Sequence, residues 1–134
     1  MMIEIKTREE LKALRARAFT EHQRIALVPT MGALHEGHLS LIERAAALAD
    51  WVVVSIYVNP TQFGPGEDFD RYPRRTIDDV SLLRDQGYAT HVFVPDDAVM
   101  YPSGVTQQRA WVDLREMSSV LCGAHRPGHF SGVA

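Results

Sequence analysis

The chain has 134 residues, 46% of them hydrophobic and 23% charged, and a formal net charge of -3. That size and balance fit one globular domain over residues 1–134, and the scattered Lys and Arg residues form no basic stripe for nucleic acid. No apolar run is long enough for a bilayer, the amino terminus lacks an apolar signal core, and Cys122 is the single cysteine. These features read as a cytoplasmic protein with no nucleic-acid or membrane partner.

Thr7-Arg8-Glu9-Glu10 is a capping-box sequence, because a Thr hydroxyl and a Glu three positions later can satisfy each other's backbone donors. Leu11, Leu14 and Ala18 follow at helical spacing, which predicts a first helix to about His22. Arg24 to Val28 is a short apolar run closed by Pro29, as expected of a buried strand. After a turn with Gly32 and Gly37, the spacing of Leu41, Ile42, Ala45, Leu48 and Ala49 predicts a second helix from His38 to Asp50. Trp51 to Val58 is β-branched and aromatic, the pattern of a central parallel strand.

A loop rich in Gly, Pro and Asp then runs to Pro73, and Thr76 with Asp79 can open a third helix that stops at Gly87. His91 to Val94 and Arg109 to Leu114 are candidates for two further strands. Helices alternating with strands imply an α/β fold with a doubly wound parallel sheet, whose ligands bind beyond the carboxyl ends of the strands.

The loop after Val28 therefore carries the first candidate site. Met31, Gly32, Ala33, Leu34, His35, Glu36, Gly37 and His38 lie just ahead of a helix, whose first N–H groups lack internal partners and favour an anion. Gly37 would let the backbone approach that anion, and His35 and His38 could both donate to phosphate oxygens. Either histidine alone reads more simply as a side chain satisfied by one backbone partner; two of them bracketing a glycine at a strand-to-helix turn point to a site. A zinc-protease motif needs its histidines four apart, and no Gly-Lys pair exists for a Walker loop. Cys122, His125 and His129 are spaced like half a zinc site without a second ligand pair.

Pro29-Thr-Met-Gly-Ala-Leu-His-Glu-Gly-His-Leu-Ser-Leu41 resembles the signature of pantothenate synthetases, members of the HxGH nucleotidylyltransferase superfamily. Three further segments resemble that family in the same order: Val58-Asn-Pro-Thr-Gln-Phe-Gly64, Asp68-Phe-Asp-Arg-Tyr-Pro-Arg74 and Arg126-Pro-Gly-His-Phe-Ser-Gly-Val133. The resemblance implies a Rossmann-like nucleotide-binding domain that joins pantoate to β-alanine at the expense of ATP, through a pantoyl adenylate. It implies that Met31 to His38 contact ATP, that His38 and His35 are the catalytic pair, and that Gln62 binds pantoate near the incoming β-alanine. Asp78 and Asp79 are candidates for the Mg²⁺ that accompanies ATP, with helix-capping acids as the plainer reading. Arg126 and His129 could order the site, and the family's usual assembly implies a homodimer.

Family members often carry an acid where this chain has Cys122, which reads here as a small buried side chain. They also continue past residue 134 with a further Lys, Asp and Gln for ATP and pantoate and a carboxyl-terminal domain with a KMSKS-like loop, whereas the only lysines here are Lys6 and Lys12. The resemblance thus implies an amino-terminal part of the enzyme, with its nucleotide-binding domain incomplete and little activity alone. Another HxGH transferase, or a non-catalytic nucleotide-binding domain, is the alternative.

Overall fold

Four parallel strands form one sheet in the order β1-β4-β3-β2, with β1 at Ile3–Ile5, β2 at Ile25–Thr30, β3 at Trp51–Ile56 and β4 at His91–Phe93. The structure is a computed structural model and describes residues 1–134. Three longer helices accompany the strands: α1 at Arg8–Thr20, α2 at Glu36–Leu48 and α3 at Thr76–Gln86.

Alternation along β3 sorts its side chains between two layers. Val52, Val54 and Ile56 face a core shared with Ile42 and Ala45 of α2 and Val80 and Leu83 of α3. Val53 faces the other way, into a second cluster with Ile5, Phe93 and Leu14 of α1. A strand buried on both faces needs apolar residues at consecutive positions, and Val52-Val53-Val54 supplies them. Each such fully buried side chain contributes about 1.5–3 kcal/mol relative to exposure. Helices on both faces of a parallel sheet make this the doubly wound, Rossmann-like arrangement.

Thr7 caps α1 in the expected box: its hydroxyl accepts from Glu10 N–H, and the Glu10 carboxylate accepts from Thr7 N–H at 2.9 Å. Gly87 ends α3 with φ 73, a left-handed value that suits glycine. Arg75, not Thr76, occupies the N-cap of α3, and it makes no side-chain cap bond.

The run that reads as a buried strand is an edge strand. Leu27 is 62% exposed, and β2 continues through Pro29 to Thr30. The Thr30 carbonyl accepts from Tyr57 N–H on the β3 side, so the alternate residue Pro29 directs its main chain outward, where a missing N–H interrupts no bond to β3. Arg109 to Leu114 forms no strand; all six residues are exposed and none joins the sheet.

By contact the chain divides into two compact units: Met1–Val58 with Pro73–Met100, which holds the sheet, and Asn59–Tyr72 with Tyr101–Ala134. The second is built from short helical turns, at Pro60–Gln62, Val105–Gln107, Arg115–Ser119, Cys122–His125 and His129–Val133.

One buried ionisable side chain belongs to the sheet rather than to any loop. His91 is 5% exposed, its ring lies 5.3 Å from that of Trp51, and its Nδ1 is 2.8 Å from the Thr90 hydroxyl. Burial, then the positive charge of Arg17, holds its pKa below the ordinary 6.5. A group depressed in the folded state contributes stability that is complete above its unfolded value and is lost as pH falls through the folded one. Thermal stability should therefore decline as pH drops below 6.5, and His91→Gln, which takes up no proton, should flatten that decline. Melting curves across this range decide it; an unchanged slope excludes His91 as the source.

Candidate functional site

At the carboxyl end of β2 the Thr30 hydroxyl donates to the Ser55 carbonyl at 2.8 Å and accepts from Gly32 N–H at 3.1 Å, which turns the chain off the sheet. Gly32 has φ +79, and a Cβ there would lie 3.0 Å from Asp79 Oδ2 and 3.3 Å from Ile56 Cγ2. The backbone angle strains any larger residue, and the space is tight enough that Asp79 or Ile56 would have to shift. Ala33 follows at φ 51, an unusual value outside glycine that its surroundings must enforce.

Asp79 does so. Its carboxylate, on the first turn of α3 and 4% exposed, accepts from Ala33 N–H through Oδ2 and from Leu34 N–H through Oδ1, both at 2.9 Å. The buried charge is held by two main-chain donors, and the loop is clamped at two successive residues. Asp78, its neighbour, is exposed. No group of three or more His, Cys, Asp or Glu side chains is arranged to hold a metal ion, around these aspartates or around Cys122, His125 and His129. Cys122 is exposed rather than buried.

The helix then opens on its own histidines. His35 is the N-cap of α2, with φ -139 and ψ 177, so the helix starts two residues earlier than its apolar spacing predicts. His35 Nδ1 accepts from Gly37 N–H at 3.1 Å, and His38 Nδ1 accepts from His35 N–H at 3.3 Å. The pair is a capping box in which imidazoles replace the usual hydroxyl and carboxylate. The ring centroids lie 4.1 Å apart with a 44° tilt.

An Nδ1 that accepts an amide hydrogen carries none of its own, which leaves each ring's N–H at Nε2. Burial, followed by the neighbouring His35, lowers the His38 pKa from its ordinary value; Asp79 opposes this more weakly. The arrangement thus provides two Nε2–H donors at the mouth of a helix. Gly37 has a role that its sequence context does not reveal: a Cβ there would lie 2.9 Å from His35 Cε1, so the missing side chain makes room for the imidazole that caps the helix.

Gln62 closes the turn Pro60–Gln62 in the second unit. Asn59 caps that turn, its Oδ1 accepting from Thr61 N–H at 3.2 Å, from the Thr61 hydroxyl at 2.8 Å and from the Tyr101 hydroxyl at 2.7 Å. Gln62 N–H reaches the Asn59 carbonyl at 3.3 Å. The Asp79 clamp and the Tyr101 bond to Asn59 escape sequence reasoning, because each joins residues whose nearness only the fold creates.

Residues 4–134 match the family profile described as pantoate-beta-alanine ligase. The pantothenate synthetase of Acidithiobacillus ferrooxidans is 53% identical over 125 residues, 93% of this chain and 45% of that protein. That of Azotobacter vinelandii is 51% identical over 133 residues, 99% of this chain and 46% of that protein. Among solved structures, pantothenate synthetase from Thermus thermophilus superposes with a TM-score of 0.86 at 43% identity, covering 98% of this chain and 45% of that one. Pantoate-beta-alanine ligase from Francisella tularensis, complexed with beta-gamma ATP and beta-alanine, gives 0.87 at 38% identity, covering 98% and 49%. The chain spans about half the length of the curated relatives it matches.

Proposed function

The chain belongs to the pantoate-beta-alanine ligase family, and from that premise we propose that it carries ATP-handling and pantoate-handling residues of an enzyme that condenses pantoate with β-alanine. In the first step a pantoate carboxylate oxygen attacks the α-phosphorus of ATP, the bond from that phosphorus to the bridging oxygen breaks, and pyrophosphate leaves. In the second, the β-alanine amine attacks the acyl carbon of pantoyl adenylate, AMP departs with the bonding pair, and the amine loses a proton to water.

The observation that carries this reading is the reciprocal histidine cap. It fixes two Nε2–H donors at a helix entrance, where they and the loop Met31 to His38 can neutralise charge that develops on the α-phosphate and the leaving pyrophosphate. His38 is the principal catalytic group and His35 its partner. Gln62 holds pantoate, its amide donating to the carboxylate and accepting from a hydroxyl. A Mg²⁺ ion accompanying ATP would neutralise phosphate charge and would need few protein ligands. Hard carboxylate oxygens suit an outer position around it; Asp78 is the exposed one, while Asp79 is engaged with the loop.

A homodimer is part of the same proposal, supported by the exposed apolar side chains Trp111, Val112, Leu114, Met117, Val120 and Leu121. No helix is long and apolar enough to cross a membrane, which is compatible with the proposed cytoplasmic location.

Pyrophosphate and AMP release test the chemistry in the full-length protein. Pyrophosphate should appear from ATP only with pantoate, and AMP only once β-alanine is added. Equal turnover with CTP or with unrelated acceptors would make this a different nucleotidylyltransferase, and ATP binding without adenylate would make it a binding domain.

A further inference from the structure

The main chain of Gln62 is gripped from the other end of the second unit. His129 Nδ1 donates to the Gln62 carbonyl at 2.8 Å, and Arg126 Nη2 donates to the same oxygen at 3.2 Å. Arg126 is itself aimed by Glu67, whose carboxylate takes Nη2 at 3.0 Å and Nε in a two-pronged pair. Glu67 also accepts from Gly64 N–H at 2.9 Å, so carbonyl, guanidinium, carboxylate and amide close a ring around the Gln62–Glu67 loop. Hydrogen bonds from Arg126 first, then from Gly64, hold the Glu67 pKa down to about 2, which keeps the carboxylate charged throughout the neutral range.

The preceding turn is fixed to the same segment. Asn59 Nδ2 donates to the Gly132 carbonyl at 2.9 Å, and a Cβ on Gly132 would fall 2.0 Å from the Thr61 carbonyl oxygen, so glycine alone permits the approach. The bonds that reach Gln62 itself engage its C=O, from His129 and Arg126, and its N–H, to the Asn59 carbonyl. None uses the carboxamide.

We propose that Arg126 and His129 are positioning residues for pantoate: they converge on the Gln62 carbonyl and so fix the backbone from which its carboxamide meets the substrate. The proposal rests on the reading of Gln62 given above. Two donors on one carbonyl hold the Gln62–Phe63 peptide plane and so restrict ψ of Gln62, and a side chain that must meet a carboxylate within a few tenths of an ångström depends on that restriction. Glu67 acts one step further out, by holding the guanidinium in place.

The test is steady-state kinetics of the full-length protein with variants at each donor. Arg126→Met and His129→Leu should each raise KM for pantoate about tenfold, the effect of one lost charge-assisted or well-aligned hydrogen bond. KM for ATP should stay as it was. His129→Asn places an amide N–H where Nδ1–H stood and should recover most of the loss. Unchanged pantoate KM in both donor variants, an equal rise for ATP, or an Asn variant as impaired as the Leu variant would overturn the proposal. Gln62→Ala separates the two layers of argument: if it leaves pantoate KM unchanged, the assignment of Gln62 itself fails. A readout independent of substrate is the His129 ring, which nitrogen NMR should show protonated on Nδ1; an Nε2–H tautomer would remove the bond on which the proposal stands.

Discussion

Replacing His38 with alanine in the full-length protein lowers the rate of adenylate formation by about 10² to 10³, the usual effect of deleting one donor aimed at developing charge. Folding stability should fall far less, by about 1 kcal/mol, because the lost Nδ1 accepts one bond at a helix cap. The disparity is the diagnostic feature. A histidine serving only as a cap would cost stability and leave pyrophosphate release nearly intact. His35→Ala should be harsher on the fold, since His35 is the N-cap residue and its ring accepts from Gly37 N–H. Pyrophosphate release in single turnover, read beside urea unfolding of each variant, separates the two contributions. Equal turnover in wild type and His38→Ala would remove this residue from the chemistry.

The second large effect belongs to Asp79. Replacing it with alanine leaves the N–H groups of Ala33 and Leu34 without acceptors beneath a tight loop, and should cost about 2–5 kcal/mol. Asp79→Asn should be milder, because an amide oxygen still accepts from one of the two. Urea midpoints measure this directly. Nucleotide affinity should fall along with stability in Asp79→Ala, since the clamped residues lead straight into the histidine pair. If the Asn variant were instead as stable as wild type but needed much more Mg²⁺, the carboxylate would be acting on the metal and not on the loop.

What the sequence revealed and what it hid divide along physical lines. Local signals were readable: the Thr7 box, the αL glycine after α3 and the valine run of β3 each concern residues within a few positions of one another. The histidine pair was visible for the same reason, as two imidazoles at a strand-to-helix turn. Strand order was not, because it depends on pairings such as Ile3 with His91. A three-residue strand like β1 is also too short to show a period. The support of the loops was hidden in the same way: Asp79 meets Ala33 across 46 positions, and Arg126 meets Glu67 across 59. Gly37 reads from sequence as room for an anion; that it also makes room for the His35 ring could not be seen until that ring was placed beside it.

The inward nitrogens of the two imidazoles are occupied by amide hydrogens, so a proton arriving on either ring must evict one of them. In the reaction proposed above, an incoming polyphosphate would meet the two Nε2–H dipoles that this arrangement leaves facing outward. Such dipoles grip less tightly before bond breaking than a doubly charged cleft would, and they give the departing diphosphate less reason to linger. Donors of that kind would favour turnover over tenacity in the proposed reaction.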